Sequence, residues 1–252
     1  DDFFVIQLPD DGELAITTCS DASLRLGRMH VSSQKGNEFI ERANQDMDGY
    51  SEDGRKETLV INDAKAGTYY IRNVRYRGEG NYTISFQFTA SPFTNDSEPN
   101  DEIDMARRID CGRDYQGRLG FYYDNSDKDL HDWYCIEIPA DGTLNISTTT
   151  ETTLRLDRLH LGTVKDGEFV SRNSEDMDAY NRDTTIVFSI PNIAKGIYYF
   201  HLAQYRGYGG YVLNCQFTPT PYACDEEPDD EIAMAQSVAS GRDIQGHLGY
   251  YY

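Results

Sequence analysis

Asp2-Phe-Phe-Val-Ile-Gln-Leu-Pro9 and Asp132-Trp-Tyr-Cys-Ile-Glu-Ile-Pro139 are two copies of one pattern, 130 residues apart. Phe4, Ile6 and Leu8 alternate in the first copy, and Tyr134, Ile136 and Ile138 in the second. Apolar residues at every second position that end on a proline mark a strand with one buried face, followed by a turn. Working outward, Leu24-Arg-Leu-Gly-Arg-Met-His30 matches Leu154-Arg-Leu-Asp-Arg-Leu-His160 at the same offset. Tyr76-Arg-Gly-Glu-Gly-Asn-Tyr82 matches Tyr205-Arg-Gly-Tyr-Gly-Gly-Tyr211 at 129, so one residue is lost between about Tyr180 and Gly196. A period of this length is a whole domain and not a solenoid turn.

A second block repeats out of phase with these strands. Glu98-Pro-Asn-Asp-Glu102 runs through Gly112, Gly117 and Phe121-Tyr-Tyr123; Glu227-Pro-Asp-Asp-Glu231 runs through Gly241, Gly246 and Tyr250-Tyr-Tyr252. The chain therefore reads as a first domain over 1–94, a complete second domain over 95–223, and the opening segment of a third unit over 224–252. Linkers fall at Ala90–Asp96 and Thr218–Ala223.

Period-two patterns recur at 14–18, 59–61, 69–71 and 82–88, and again at 144–146, 188–190, 198–202 and 211–217. They are separated by turn signals such as Pro9-Asp-Asp-Gly12 and Lys65-Ala-Gly67. Many short strands at this spacing predict an all-β protein of antiparallel sandwiches. The spacing of Ile103, Ala106 and Ile109 predicts a short helical turn over 101–109, echoed over 230–238.

Aromatic residues make up 12% of the chain, which suits sheet faces. No apolar run approaches the roughly 18 residues of a membrane helix. A net charge of −20 sets the chain against nucleic acid and anionic membrane surfaces and in favour of divalent cations. Acidity, Tyr/Thr/Asn richness and tandem β domains together imply an extracellular or cell-surface location. Arg25, Arg28, Arg155 and Arg158 are expected to face outward and pair with surface carboxylates.

The five cysteines are an odd number, and Val5 and Phe86 stand where Cys135 and Cys215 lie in the second copy, so no framework disulfide repeats. Alternation places Cys135 on the opposite face of its strand from Tyr134, whereas Cys215 shares a face with Tyr211 and Leu213. Unpaired thiols acting as small apolar residues are expected, with a Cys111–Cys224 bridge left open.

Several features together resemble the bacterial pre-peptidase C-terminal (PPC) domain, which is similar to the collagen-binding modules of clostridial collagenases. They are Glu98-Pro-Asn-Asp101 with Met105-Ala106, Gly112 with Gly117-Arg-Leu119, Asp132-Trp-Tyr134, and Gly196-Ile-Tyr-Tyr199 followed by Tyr205-Arg-Gly-Tyr-Gly-Gly-Tyr211. The resemblance covers Glu98–Phe217 completely, the first unit from Asp2 onward, and the opening of a third. It implies a jelly-roll-like sandwich, secretion and a non-catalytic role. It also implies Ca²⁺, held in calcium-binding members by linker acids and the loop before the Asp-Trp-Tyr strand. The matching positions here are Glu98, Asn100 and Asp101 with Asp127, Asp129 and Asp132. That set is chemically apt, because Ca²⁺ takes 6–8 oxygen ligands and the carboxylates would otherwise repel. Lys128 interrupts the acidic run. A second acidic loop, Asp46–Asp53, recurs as Asp176–Asp183 with Arg182 in place of an acid.

Tyr76, Tyr82, Tyr205, Tyr208 and Tyr211 on the glycine-rich turns are candidate stacking faces for sugar rings; cross-strand aromatic pairs at a tight turn account for them equally. Sequons at Asn81, Asn95 and Asn145 are possible N-glycan acceptors. The five histidines have no metal-protease spacing, and no nucleophile elbow, phosphate loop or Cys-x-x-Cys is present. The expectation is a non-enzymatic, structural or adhesive repeat, with Ca²⁺ stiffening the linkers. It partners itself head to tail, or further repeats of the same chain. The alternative is a module that targets a secreted hydrolase to polysaccharide or fibrous protein. Three arrangements of the out-of-phase ends remain open: completion of a neighbour's first domain, a permuted unit starting at Asp2 and Asp132, or a piece of a longer repeat array.

Overall fold

The computed structural model describes residues 1–47, 56–95, 98–123, 128–177, 185–221, 231–235 and 237–245. They form two compact units. The first comprises Asp1–Asn95, Arg118–Leu130 and Arg206–Gly210; the second comprises Asp96–Gly117, His131–Tyr205 and Tyr211–Tyr252. Both are all-β.

In the first unit the strands are β1 (Asp2–Leu8), β2 (Gly12–Ser20), β3 (Leu24–Leu26), β4 (Arg28–Lys35), β5 (Glu38–Asp46), β6 (Lys56–Ala64), β7 (Gly67–Asn73), β8 (Arg75–Gly78) and β9 (Tyr82–Ala90). One sheet runs β1-β7-β4-β5, the other β6-β2-β9, and β3 pairs with β8. The alternation read from the sequence is the alternation of burial: Leu14 and Ile16 of β2, Met29 and Val31 of β4, Leu59 and Ile61 of β6, and Tyr69 and Ile71 of β7 meet in one core. Residues of period two on two facing sheets leave no other place for their apolar faces.

The Pro9-Asp-Asp-Gly12 turn is held by a buried acid. Asp11 is 3% exposed, and its Oδ1 accepts the Ala66 N–H at 2.7 Å, which ties the β1–β2 turn to the β6–β7 turn. Arg118 also serves this corner. Its guanidinium is buried and donates to Asp10 at 2.6 Å and to the Phe93 carbonyl at 2.5 Å, and it lies 3.5 Å from Asp11. Tyr122 makes a parallel bridge to Ala64, and Arg42 lies 3.3 Å over its ring while pairing with Asp63. Tyr123 packs edge-on to Tyr69 at 5.2 Å. A side chain at Gly67, which has φ +152, would strike that ring.

The second unit carries β10 (Arg107–Ile109), β12 (His131–Ile138), β13 (Gly142–Thr150), β14 (Leu154–Leu156), β15 (Arg158–Lys165), β16 (Glu168–Asp176), β17 (Thr185–Ile193) and most of β11 (Asp114–Leu119), β18 (Gly196–Gly207) and β19 (Gly209–Pro219), of which Arg118–Leu119 and Arg206–Gly210 fall in the first unit. Its sheets run β10-β12-β18-β15-β16, with β14 also on β18, and β11-β19-β13-β17. Strand for strand, β12, β18, β15 and β16 repeat β1, β7, β4 and β5, while β13, β17 and β19 repeat β2, β6 and β9. Asp141 repeats Asp11, accepting the Lys195 N–H at 2.6 Å.

Two strands have no counterpart among the described residues of the first unit: β10, parallel to β12, and β11, beside β19. The helical reading of 101–109 is corrected here. Only Ile103–Met105 makes a 3-10 turn, because Arg107–Ile109 pairs with Tyr134–Ile136 and Ile109 enters the core through that pairing. Ile232–Met234 repeats the turn. The hairpins β4–β5 and β15–β16 were not legible as strands, since β5 and β16 are largely exposed and lack a clean apolar alternation.

Cys215 is buried and Cys135 half-buried, each unpaired and on the faces that alternation assigned; Cys19 and Cys111 are also free thiols, and Cys224 lies outside the described residues. Arg28 pairs with Asp46 and Arg158 with Asp176 on the surface, as expected. The rest of both acidic loops, 48–53 and 178–183, lies outside the described residues.

Candidate metal centre

The second unit brings two of the predicted acids together at the start of β12: carboxylate oxygens of Glu98 and Asp132 lie within 4.8 Å of one another, while Asp129 falls in the first unit. Asp132 is fully buried and Asp129 nearly so, while Glu98 is exposed. Asn100 is also buried. Its backbone N–H donates to Glu98 Oε2 at 3.3 Å, and its carbonyl accepts the Trp133 N–H at 2.8 Å, so the Glu-Pro-Asn segment is laced to β12.

Burying a carboxylate is costly unless donors or a cation face it. Asp132 Oδ2 accepts a 2.5 Å hydrogen bond from the Tyr211 hydroxyl, and Tyr211 in turn shares a short bond with Tyr134. This Tyr134–Tyr211–Asp132 chain was not foreseen. Its signal in the sequence is weak: two aromatics at inward positions of β12 and β19, whose phenols need polar partners once buried.

Of the remaining predicted ligands, Asp101 is exposed and Asp127 lies outside the described residues. Lys128 places its ammonium 5.0 Å from the centre of the Tyr122 ring. The Glu98 and Asp132 carboxylates and the Asn100 amide carbonyl are hard oxygen donors of the kind Ca²⁺ takes.

The tyrosines divide. Tyr76 and Tyr205 are 65% and 56% exposed, and the Arg77 guanidinium lies 5.8 Å from the Tyr76 ring centre. Tyr82 is half-buried and bonds to Asp2, and Tyr208 is half-buried with Phe121 edge-on at 5.8 Å. Tyr211 is corrected as a stacking residue. It is fully buried, and a side chain at Gly117 would fall 2.2 Å from its hydroxyl, so no sugar reaches it. Among the sequons, Asn81 is exposed but donates to Asp21, Asn95 is half-buried, and Asn145 is half-buried on β13 between β17 and β19.

A concavity of about 390 Å³ on the first unit went unpredicted. Phe3, Phe39 and Tyr70 form its apolar wall, with His30, Glu41 and Arg72 as polar groups. These residues come from β1, β5, β7 and β4, and only the cross-strand register joins them.

No protein-family model matches the chain, and no curated protein matches it. Among solved structures it is similar to the pre-peptidase C-terminal domain of collagenase from Bacillus anthracis. The identity is 19%, over 48% of this chain and all of that one, with a TM-score of 0.35. It is also similar to PBSX exported protein XepA at 9% identity (86% of this chain, 82% of that one, TM-score 0.27). The tandem CBM22 domains of Paenibacillus barcinonensis Xyn10C match at 12% identity (85% and 80%, TM-score 0.25).

Proposed function

We propose that the chain is a non-catalytic, extracellular structural or adhesive repeat whose units join head to tail by strand complementation, with Ca²⁺ at the acidic group before β12. The observation that carries this reading is the open rim of the first unit. Phe4 and Ile6 of β1 and Tyr82 and Ile84 of β9 pack against the core yet stay partly exposed, and Phe86, 6.1 Å from the Phe4 ring, is 36% exposed. Their counterparts Tyr134, Ile136, Tyr211, Leu213 and Cys215 are all 2% exposed or less, with β10 and β11 alongside. Among the described strands none lies on the outer side of β1 or β9. Such an edge is a template for an added strand.

The sequence that would fill it recurs in this chain. Val238 stands where Ile109 stands in the repeat, and Ile244 where Tyr115 does; both are exposed, at 65% and 57%. A second copy donating this segment makes a heterologous contact that does not close, hence a filament. Glu98 and Asp132 would hold the Ca²⁺, with Asn100 as a further oxygen donor; the ion would offset the buried charge and stiffen the linker. Light scattering of the full chain over rising concentration tests the assembly. Mass that climbs with concentration, and fails to climb in Val238→Asp, is expected. A strictly monomeric chain at all concentrations refutes it.

One observation favours a second reading, a targeting module for polysaccharide or fibrous protein. The first-unit concavity sets Phe39 and Tyr70 edge to face at 4.9 Å beside Arg72 and Glu41, a surface of aromatic and charged groups suited to a sugar. A glycan and collagen array with Tyr70→Ala as control decides it: binding that the variant lacks supports targeting.

A further inference from the structure

Three of the five histidines converge on the outer face of one sheet in the second unit. His160 of β15 is the direct cross-strand partner of His201 on β18, and His131 of β12 sits diagonally across from His201, being opposite Ala203. The rings of His131 and His201 are 5.9 Å apart and those of His160 and His201 are 6.3 Å apart. The Trp133 ring lies 4.5 Å from His201 on the same face.

The first unit shows what this face does when it carries fixed charge. Asp1, His30 and Arg72 stand at the three places; Arg72 pairs with Asp1 at 2.6 Å, and His30 pairs with Glu41. In the second unit the acid Asp1 becomes His131, the cation Arg72 becomes His201, and the acid Glu41 becomes Ser171. Every substitution removes a formal charge, and two of them add an imidazole. The result is a cluster of three imidazoles, and a buried Nδ1 of His201 has no hydrogen-bond partner among the described residues. Burial, aided by the two neighbouring rings, brings the His201 pKa down to about 4.

We propose that His131, His160 and His201 form a site for a divalent transition-metal ion of the borderline class, Zn²⁺, Ni²⁺ or Cu²⁺. Neutral imidazoles are the ligands these ions prefer, whereas Ca²⁺ and Mg²⁺ prefer oxygen. Imidazoles sharing one ion at nitrogen distances near 2 Å place their ring centres roughly 5 Å apart. The His131–His201 and His160–His201 separations exceed this by about 1 Å, and side-chain rotation must bring all three rings inward to share one ion. The site is separate from the carboxylate group at Glu98 and Asp132 in both position and donor chemistry.

The single tryptophan supplies the test. Ni²⁺ bound beside His201 quenches Trp133, so the full chain is titrated with NiCl₂ while excess Ca²⁺ occupies the carboxylates. Saturable one-to-one quenching in the micromolar range is expected, reversed by Zn²⁺. His160→Gln and His131→Gln, both at the surface, are expected to weaken it at least tenfold, whereas His30→Gln in the first unit leaves it unchanged. Circular dichroism confirms that each variant is folded. Quenching that does not saturate, that ignores Zn²⁺, or that survives both second-unit substitutions overturns the site.

Discussion

Removing one oxygen atom, by Tyr211→Phe, tests whether the Tyr134–Tyr211–Asp132 chain is a structural necessity of the second unit. The Asp132 carboxylate is fully buried and loses a 2.5 Å donor, and the Tyr134 hydroxyl loses a partner in the core. A hydrogen bond to a buried charge contributes about 1.5–3 kcal/mol and a neutral one about 1, so the substitution should cost about 3 kcal/mol. The repeat equivalent, Tyr82→Phe, removes the bond to Asp2, but Asp2 is exposed and water replaces the lost donor; its cost should stay below about 1 kcal/mol. Trp133 lies on β12, so its fluorescence reports the second unit alone. With a urea slope of about 2 kcal/mol per molar, Tyr211→Phe should lower the Trp-detected midpoint by about 1.5 M. Tyr82→Phe should leave that midpoint in place and move only the far-ultraviolet transition of the first unit. A Tyr211→Phe midpoint within about 0.3 M of the parent would refute the reasoning, since the carboxylate would then not depend on this donor.

Added Ca²⁺ should raise the melting temperature of the Trp-detected transition, and Asp132→Asn should abolish the rise; equal shifts in parent and variant would sink the assignment. Arg118→Met should destabilise the first unit by about 3 kcal/mol in a denaturant titration, because it leaves the nearly buried Asp11 without its cation. The Arg118 hydrogen bond holds the Asp10 carboxyl below its usual range, so that group stabilises the first unit above about pH 4 and ceases to do so as pH falls. Acid titration of stability should show that decline in the parent, and a shallower one in Arg118→Met. Burial pushes the Cys215 thiol well above its usual range, so a thiol reagent should label exposed Cys19 quickly and reach Cys215 only on unfolding, as read by mass spectrometry.

Much of this molecule was legible in the residues alone. Period-two alternation in Phe4-Ile6-Leu8 and Tyr134-Ile136-Ile138 determined strand, face and core together, because a side chain on a strand has only two directions to take. The offset of 130 residues determined that the fold is written twice, and Glu98 and Asp132 could be named as neighbours through the resemblance their motifs carry. Tertiary structure decided the rest. Whether Tyr211 faces a sugar or a buried carboxylate depends on β11 lying against β19, which alternation along β19 does not encode. That His160 meets His201, or that Phe3, Phe39 and Tyr70 line one concavity, depends on cross-strand register. Register is set by the summed packing of both sheets, and no short stretch of sequence holds that sum.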